Sequence, residues 1–266
     1  MNFLVIGSSI AFIAYMLATL AILSRLFHPK GPNINQVLVL AVIAVITHIF
    51  NDAQLLFGQD TVNFSLPNVI SLVSLVITIT ISLVALRMKV NLLLPVIYGF
   101  AGIWQLVMIF IPKTESIPLV AEKIILVGHI SIALIAYCIL IIATLYAFQV
   151  AYINLKLKNK NLTAVVHLPP LMQVEKQLFN ILMIGTVCLF FSQLVGLLFL
   201  DGYWAKENLH KTVLSLIALV IYVIILAGHF HQGWRGHRVL LLTITASALL
   251  TLSYFGSRFV KEFILS

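Results

Sequence analysis

The chain has 266 residues, of which 62% are hydrophobic and 9% are charged, and it carries a formal net charge of +8. This composition excludes a soluble globular domain, because such domains carry about 25% charged residues. Apolar runs of about 20 residues recur along the chain and are typical of helices that cross a membrane. The positive charge therefore indicates cytoplasmic loops that face anionic lipid, and it does not indicate a nucleic-acid-binding surface.

The apolar runs predict an all-α integral membrane protein, a polytopic bundle of about eight transmembrane helices. The predicted spans are residues 3–25, 36–57, 67–86, 92–111, 123–151, 177–200, 210–228 and 239–260. The first span has Arg25 after it and no basic residue before it, so we interpret it as a retained helix and not as a cleavable signal peptide. The links are too short to fold by themselves, which predicts a single membrane domain over residues 1–266.

Lysine and arginine are divided unevenly between the links. Ten of the sixteen follow spans 1, 3, 5 and 7, and an excess of these residues marks the cytoplasmic side of a membrane. Both termini are therefore predicted to lie outside, in a multi-pass protein of the cytoplasmic (inner) membrane.

This orientation brings three histidines toward the outer leaflet from three different spans, as a metal or haem site requires. They are His48, His129 and His210. Asp52 lies one turn after His48 on the same helical face, where a carboxylate can fix the tautomer of a ligating imidazole or simply bridge two helices. His129 has no carboxylate four residues away on either side, so a local ion pair does not explain it.

The seventh span places polar groups along one face and aromatic residues before its start. His229 falls at the predicted inner end of that face, five full helical turns from Lys211. Tyr203 and Trp204 precede the span. Such aromatic residues pack on planar ligands, but they also form the ordinary belt at a membrane surface.

Two other spans carry stripes of small polar residues, which we interpret as packing devices in preference to a transport pathway. The stripes are Ser71, Ser74, Thr78 and Ser82 in span 3, and Thr243, Ser247, Thr251 and Tyr254 in span 8. No span has a carboxylate near its middle, which argues against the chain being an ion-coupled transporter itself.

Several segments together carry a resemblance to a known family. They are Gly202-Tyr203-Trp204, the later Gly233-Trp234-Arg235-Gly236, and the stretch from Leu126 to Tyr137 that contains Gly128-His129. In these segments the chain resembles the cytochrome c assembly protein family of integral-membrane haem handlers. It looks most like the YpjD-type inner-membrane branch, and the likeness is strongest over residues 123–262.

The resemblance implies a haem held at the outer face of the membrane by histidines, with cytochrome c maturation proteins or another membrane protein as partners. His129 would be one axial ligand, with His48 or His210 as the second. Tyr203 and Trp204 would pack on the ring. The chain would bind or relay haem.

The outward loop departs from the family's tryptophan-rich pattern after Trp204, where it continues Ala-Lys-Glu-Asn-Leu-His. This departure favours an alternative function, that of a cofactor-free membrane subunit that regulates or assists an ion transporter. A quinone-facing redox subunit is a third interpretation.

Overall fold

A computed structural model describes residues 2–26, 28, 31–57, 65–88, 90–111, 124–160, 168–200, 203–206 and 208–256. Within these residues the chain forms eight α-helices and no strand. The helices are α1 (Asn2–Leu23), α2 (Ile34–Phe57), α3 (Leu66–Ala85), α4 (Leu94–Phe110), α5 (Ile124–Lys158), α6 (Leu171–Phe199), α7 (Leu209–Gln232) and α8 (His237–Thr251), and a π-helical turn (Leu252–Gly256) follows. The prediction of an all-α bundle of about eight helices is confirmed.

Among the described helices, seven are long and apolar enough to cross a membrane. The remaining helix, α4, has 17 residues, so at a rise of 1.5 Å per residue it is about 25 Å long. This is close to the thickness of a bilayer's hydrocarbon core, which is about 30 Å. The sequence-predicted spans therefore all correspond to helices.

Helices α5 and α6 extend furthest beyond the apolar runs that predicted them. Helix α5 continues to Lys158 and has Lys156 and Lys158 in its last turn, whereas the predicted span ended at residue 151. Helix α6 starts at Leu171, before the predicted boundary at residue 177. Backbone hydrogen bonding continues a helix into the polar interface, where hydrophobicity no longer marks it.

Proline and glycine set several helix boundaries. Pro67 and Pro95 stand at the first positions of α3 and α4, where a missing N–H breaks no helical bond. Gly233 ends α7 in the left-handed region with φ 65°. The N–H of Gly233 bonds the His229 carbonyl, and the N–H of Trp234 bonds the Gly228 carbonyl. The bond from Gly233 to His229 is the one that defines an αL C-cap motif.

The chain divides into two compact units, one with α1–α4 and the other with α5–α8. In the first unit, α1 and α3 each pack against both α2 and α4. In the second unit, α5 and α7 each pack against both α6 and α8. Each unit is a four-helix bundle whose successive helices are also neighbours in space. The single membrane domain expected over residues 1–266 stays a prediction.

The helices expose apolar side chains and bury many of their polar ones. Phe3, Leu20 and Ile46 belong to a large set of exposed hydrophobic residues, as expected for surfaces in contact with lipid tails. The buried set includes His48 and Asp52 as well as apolar residues. Polar side chains are therefore found inside the units, where their buried polar atoms need hydrogen-bond partners.

Candidate functional site

His129 lies in the second turn of α5, and a carbonyl on α6 holds its ring. The Nδ1 atom donates to the backbone oxygen of Ser192 at 2.9 Å, and the Ser192 hydroxyl donates back to the His129 carbonyl at 3.5 Å. Because a carbonyl can only accept, Nδ1 of the neutral ring carries the proton and Nε2 keeps the lone pair. Nε2 has no hydrogen-bond partner within the described residues.

Gly196, one turn after Ser192 on α6, allows two rings to approach the helix. A Cβ atom at this position would lie 2.9 Å from the Cε1 atom of His129 and 2.6 Å from the Cε2 atom of Tyr203. Both distances are shorter than a carbon–carbon contact of about 3.5 Å. The absence of a side chain at Gly196 therefore brings His129 and Tyr203 together.

Tyr203 is fixed at both its hydroxyl and its backbone. The hydroxyl donates to the side-chain oxygen of Gln193 on α6, and the Tyr203 carbonyl accepts a bond from the Thr212 hydroxyl at 3.0 Å. Burial raises the pKa of the Tyr203 phenol, so the group stays protonated and able to donate at neutral pH. Tyr203 is thereby bonded to α6 through its side chain and to α7 through its carbonyl.

Trp204 stands next to Tyr203, with its ring perpendicular to the tyrosine ring at a centroid distance of 5.5 Å. The residue is 55% exposed. An exposed indole beside an ordered tyrosine offers a flat apolar surface for contact with lipid or with a planar ligand.

His210 is the second residue of α7 and is exposed. It belongs to the same unit as His129 and lies at the same end of that bundle, because α5 and α7 both begin there. His210 was predicted as one of two candidates for a second ligand, and this role stays a prediction.

His229 lies in the last turn of α7, at the opposite end of the α5–α8 bundle from His129. Its Nδ1 atom donates to the Trp234 carbonyl at 3.1 Å, and its ring stacks on Phe179 with a centroid distance of 3.4 Å. Twenty residues separate His229 from the start of α7 at Leu209, or about 30 Å along the helix. His229 and His129 therefore do not belong to one pair of axial ligands.

His48 and Asp52 lie in the other unit, on α2, and are buried. The Nε2 atom of His48 is 3.0 Å from the Ser71 hydroxyl, and its Nδ1 atom is 3.2 Å from the Tyr15 hydroxyl. The predicted contact between Asp52 and His48 is present at 3.5 Å. Both ring nitrogens are thus engaged by side chains, and a bond from either one to iron would require such a contact to break.

The structure therefore brings together His129, Tyr203 and Trp204 of the predicted site residues. Sequence reasoning missed three positions on α6 that order them, Ser192, Gln193 and Gly196. Gln193 and Gly196 leave a detectable signal, since an amide and a glycine interrupt an otherwise apolar run. The Ser192 carbonyl leaves none, because every residue has a carbonyl.

Residues 6–265 match the family model described as "Cytochrome C assembly protein". The chain belongs to the cytochrome c assembly protein family. The match covers both four-helix units, and it confirms the resemblance that the sequence motifs indicated.

Curated relatives of this family member come from bacteria. The inner membrane protein YpjD of Escherichia coli strain K12 is 40% identical over 257 residues, which span 96% of this chain and 97% of that protein. The YpjD protein of E. coli O157:H7 matches to the same extent. A 28.8 kDa protein "in nifR3-like 5′region" of Azospirillum brasilense is 30% identical over 141 residues, 52% of each chain.

No solved structure matches the chain. The similarity to an inner membrane protein and the seven long apolar helices of the described residues agree with each other. The family member is a multi-pass protein of the inner membrane, as the sequence predicted.

Proposed function

We propose that the protein binds haem at the end of the α5–α8 unit that contains His129, and that it handles haem for cytochrome c assembly. The observation that carries this proposal is the hydrogen bond from Nδ1 of His129 to the Ser192 carbonyl. That bond directs the lone pair to Nε2, and a neutral imidazole nitrogen with a free lone pair is the form that coordinates haem iron.

The residues around His129 suit a haem in other respects. When bound, haem supplies an iron that takes axial ligands and a broad, planar, mostly apolar ring. Trp204 presents an exposed indole that can cover such a ring. Tyr203 acts as a positioning residue, because its bond to Gln193 on α6 holds its ring beside His129.

For the second axial ligand we favour His210 over His48. His210 is exposed and lies at the His129 end of the same unit. His48 belongs to the other unit and already bonds Ser71 and Tyr15 through its two nitrogens. Asp52, predicted to orient His48 as a ligand, is then free for a different role.

His229 repeats the local arrangement of His129 at the other end of the bundle. Its Nδ1 proton also points to a backbone carbonyl, that of Trp234, which again leaves Nε2 as the lone-pair nitrogen. The predicted role of His229 in cofactor binding stays a prediction, and the haem proposed here is held at the His129 end of the unit.

The test is the visible spectrum of the protein purified from haem-replete cells. We expect a Soret band in the wild type, its loss in His129→Ala, and its retention in His231→Ala. His231 is a matched control because it is an exposed helical histidine at the other end of the same unit. Elution volume on a sizing column reports whether each variant is folded.

A colourless, well-folded wild-type protein would overturn the proposal. Co-purification of that colourless protein with a stoichiometric ion transporter would instead support the alternative function, a cofactor-free subunit that assists a transporter. A Soret band of equal height in wild type and His129→Ala would show that the haem ligand lies elsewhere.

A further inference from the structure

The α1–α4 unit contains a polar cluster that the proposed haem site does not use. The His48–Asp52 cluster consists of His48 and Asp52 on α2, Ser71 on α3, Tyr15 on α1 and Gln105 on α4. All five side chains are buried, with exposures from 0% for His48 to 3% for Asp52. Each of the four helices contributes at least one member, so the cluster sits in the interior of the bundle.

The hydrogen bonds of Ser71 determine where the protons lie. Its hydroxyl oxygen is 2.7 Å from Asp52 Oδ1 and 3.0 Å from both His48 Nε2 and Gln105 Nε2. An amide nitrogen only donates and a carboxylate only accepts. While Asp52 is ionised, Ser71 therefore accepts from Gln105 and gives its single hydrogen to Asp52. It has no second hydrogen for His48, whose Nε2 atom must donate to Ser71.

With the proton on Nε2, the neutral His48 ring accepts at Nδ1 from the Tyr15 hydroxyl, which is 3.2 Å away. In this arrangement Asp52 is an anion. Its Oδ2 atom is buried and has no hydrogen-bond partner within the described residues. An unpaired charge inside a membrane bundle is destabilising.

No lysine or arginine stands in α1, α2, α3 or α4 to neutralise that charge. The basic group next to the Asp52 carboxylate is His48, whose Nε2 atom lies 3.5 Å from Asp52 Oδ2. The other titratable groups facing the cluster are phenols: Tyr15 on α1, and Tyr98 on α4, which stacks on Tyr15 at 6.0 Å. Helix α3 adds only hydroxyl groups.

The cluster also has a complete second arrangement that contains one more proton. When His48 is protonated, Nδ1 donates to the Tyr15 oxygen, and the Tyr15 hydrogen turns to the Thr78 hydroxyl, its other side-chain partner. Thr78 can accept because its own hydrogen is given to the Ser74 carbonyl at 2.7 Å. Every donor then has an acceptor, and Asp52 has a cationic neighbour.

The cluster lies nearer to one end of the unit than to the other. Asp52, Ser71 and Gln105 each lie five residues from the nearer end of their helix, or about 8 Å at 1.5 Å per residue. Asn51 extends the polar connection at the same depth, because its amide lies 3.5 Å from Gln105 Oε1 and 3.1 Å from the Ser8 hydroxyl near the start of α1. By the predicted orientation this end faces outside.

From these contacts we infer that the His48–Asp52 cluster is a proton-binding site, which takes up one exchangeable proton from the outer side and shares it between imidazole and carboxyl. The ligand is a proton because the two arrangements differ by one proton and by the rotation of the Tyr15 hydroxyl. The site is separate from the haem site, and each can fail without the other.

The test uses the small number of aspartates in the chain, which are Asp52, Asp60 and Asp201. Full-length protein with ¹³C-labelled aspartate carboxyls and ¹⁵N-labelled histidine is titrated with acid in detergent micelles and followed by NMR. We expect the Asp52 carboxyl signal and the His48 ring signals to change together, with one common midpoint, because strongly coupled groups titrate as a pair.

Two serine variants distinguish an effect on proton binding from a general effect on helix packing. Ser71→Ala removes the hydroxyl that joins Asp52 to His48, and we expect the common midpoint to move by at least about one pH unit, the scale of coupling between interacting groups. Ser74→Ala is the matched control, because Ser74 is equally buried on α3 and bonds the Ser71 carbonyl of its own helix. It should leave the midpoint unchanged.

Asp52→Asn assigns the Asp52 signal by its loss. If that variant does not fold, Asp60→Asn and Asp201→Asn assign the same signal by elimination. An Asp52 signal that stays constant through the titration would overturn the inference, as would one that moves independently of His48. A signal that follows sodium concentration at fixed pH would show that the site takes a metal cation, and would overturn it too.

Discussion

The ligand character of His129 depends on two features of α6, a carbonyl and a missing side chain. The Ser192 carbonyl fixes the tautomer of the imidazole, and Gly196 leaves space for the ring beside Tyr203. A histidine on a membrane helix without such a partner could present either nitrogen. The site is therefore defined by the pairing of α5 with α6 as much as by His129 itself.

Gly196→Ala should weaken haem binding without removing the ligand. The new methyl group would meet the His129 and Tyr203 rings at less than 3 Å, and relieving such crowding costs about 1–3 kcal/mol. We expect haem affinity to fall by about tenfold, which corresponds to 1.4 kcal/mol. The measurement is a titration of the haem-free protein followed by Soret absorbance.

Gly128→Ala provides the control for this experiment. Gly128 is also a helical glycine and is adjacent to His129, but a Cβ there meets no atom of the described residues within 4 Å. Its haem affinity should match that of the wild type. Equal weakening in both variants would contradict the role given to Gly196.

At the residue scale, the sequence singles out candidate side chains but does not reveal the groups they contact. His129 was identified because no nearby carboxylate explains it, and Asp52 because it falls one turn after His48. Ser71 was assigned to a packing stripe, and its neighbours Ser74, Thr78 and Ser82 do bond their own helix. Only the tertiary structure shows that Ser71 bonds across helices instead.

Among the elements, the end of α7 depends on the backbone of Gly233. This residue has φ 65° and closes the helix with two backbone bonds. The same turn brings the Trp234 carbonyl to His229. The local fold of the predicted cytoplasmic link therefore depends on Gly233. The sequence pattern Gly-Trp-Arg-Gly does not by itself show that this glycine has a left-handed backbone.

Gly233→Ala should lower the midpoint of heat denaturation, because a left-handed backbone costs a residue with a Cβ atom about 1–2 kcal/mol. Gly233→Asn should retain most of the stability, since asparagine is tolerated in this region of backbone space. The measurement is thermal unfolding of each variant in the same detergent. Equal midpoints for the alanine variant and the wild type would contradict the account of this turn.

Helices were predictable as elements because each needs a long apolar run to cross a membrane. Their ends were less predictable, as the extension of α5 to Lys158 and the early start of α6 at Leu171 demonstrate. Both extensions mix polar and apolar residues in helical hydrogen bonding. The hydrophobic pattern of the sequence shows where the chain leaves the lipid, but the helix continues beyond that point.

On the scale of the whole molecule, the two units contain different chemistry. The α1–α4 unit has a buried carboxyl–imidazole cluster and no lysine or arginine within its helices. The α5–α8 unit has histidines with fixed tautomers near both of its ends. The sequence predicted one membrane domain and could not reveal this division, because both units have the same hydrophobic pattern.

The predicted orientation places Lys206 outside and Lys158 inside, and both residues are exposed. Lys206→Cys should react in intact cells with a thiol reagent that does not cross membranes. Lys158→Cys should react only after the membrane is opened. The native Cys138 and Cys188 lie within helices α5 and α6 and are replaced by alanine in both variants. The reverse pattern of labelling would contradict the orientation derived from Lys and Arg.

The central claim, that His129 binds haem iron through Nε2, is tested most directly by replacing the ligand from solution. His129→Gly, purified with added haem, should lack the Soret band of the wild type. Free imidazole should restore it, because it supplies the missing nitrogen in the space that the side chain leaves. A band that persists in His129→Gly without imidazole would contradict the claim.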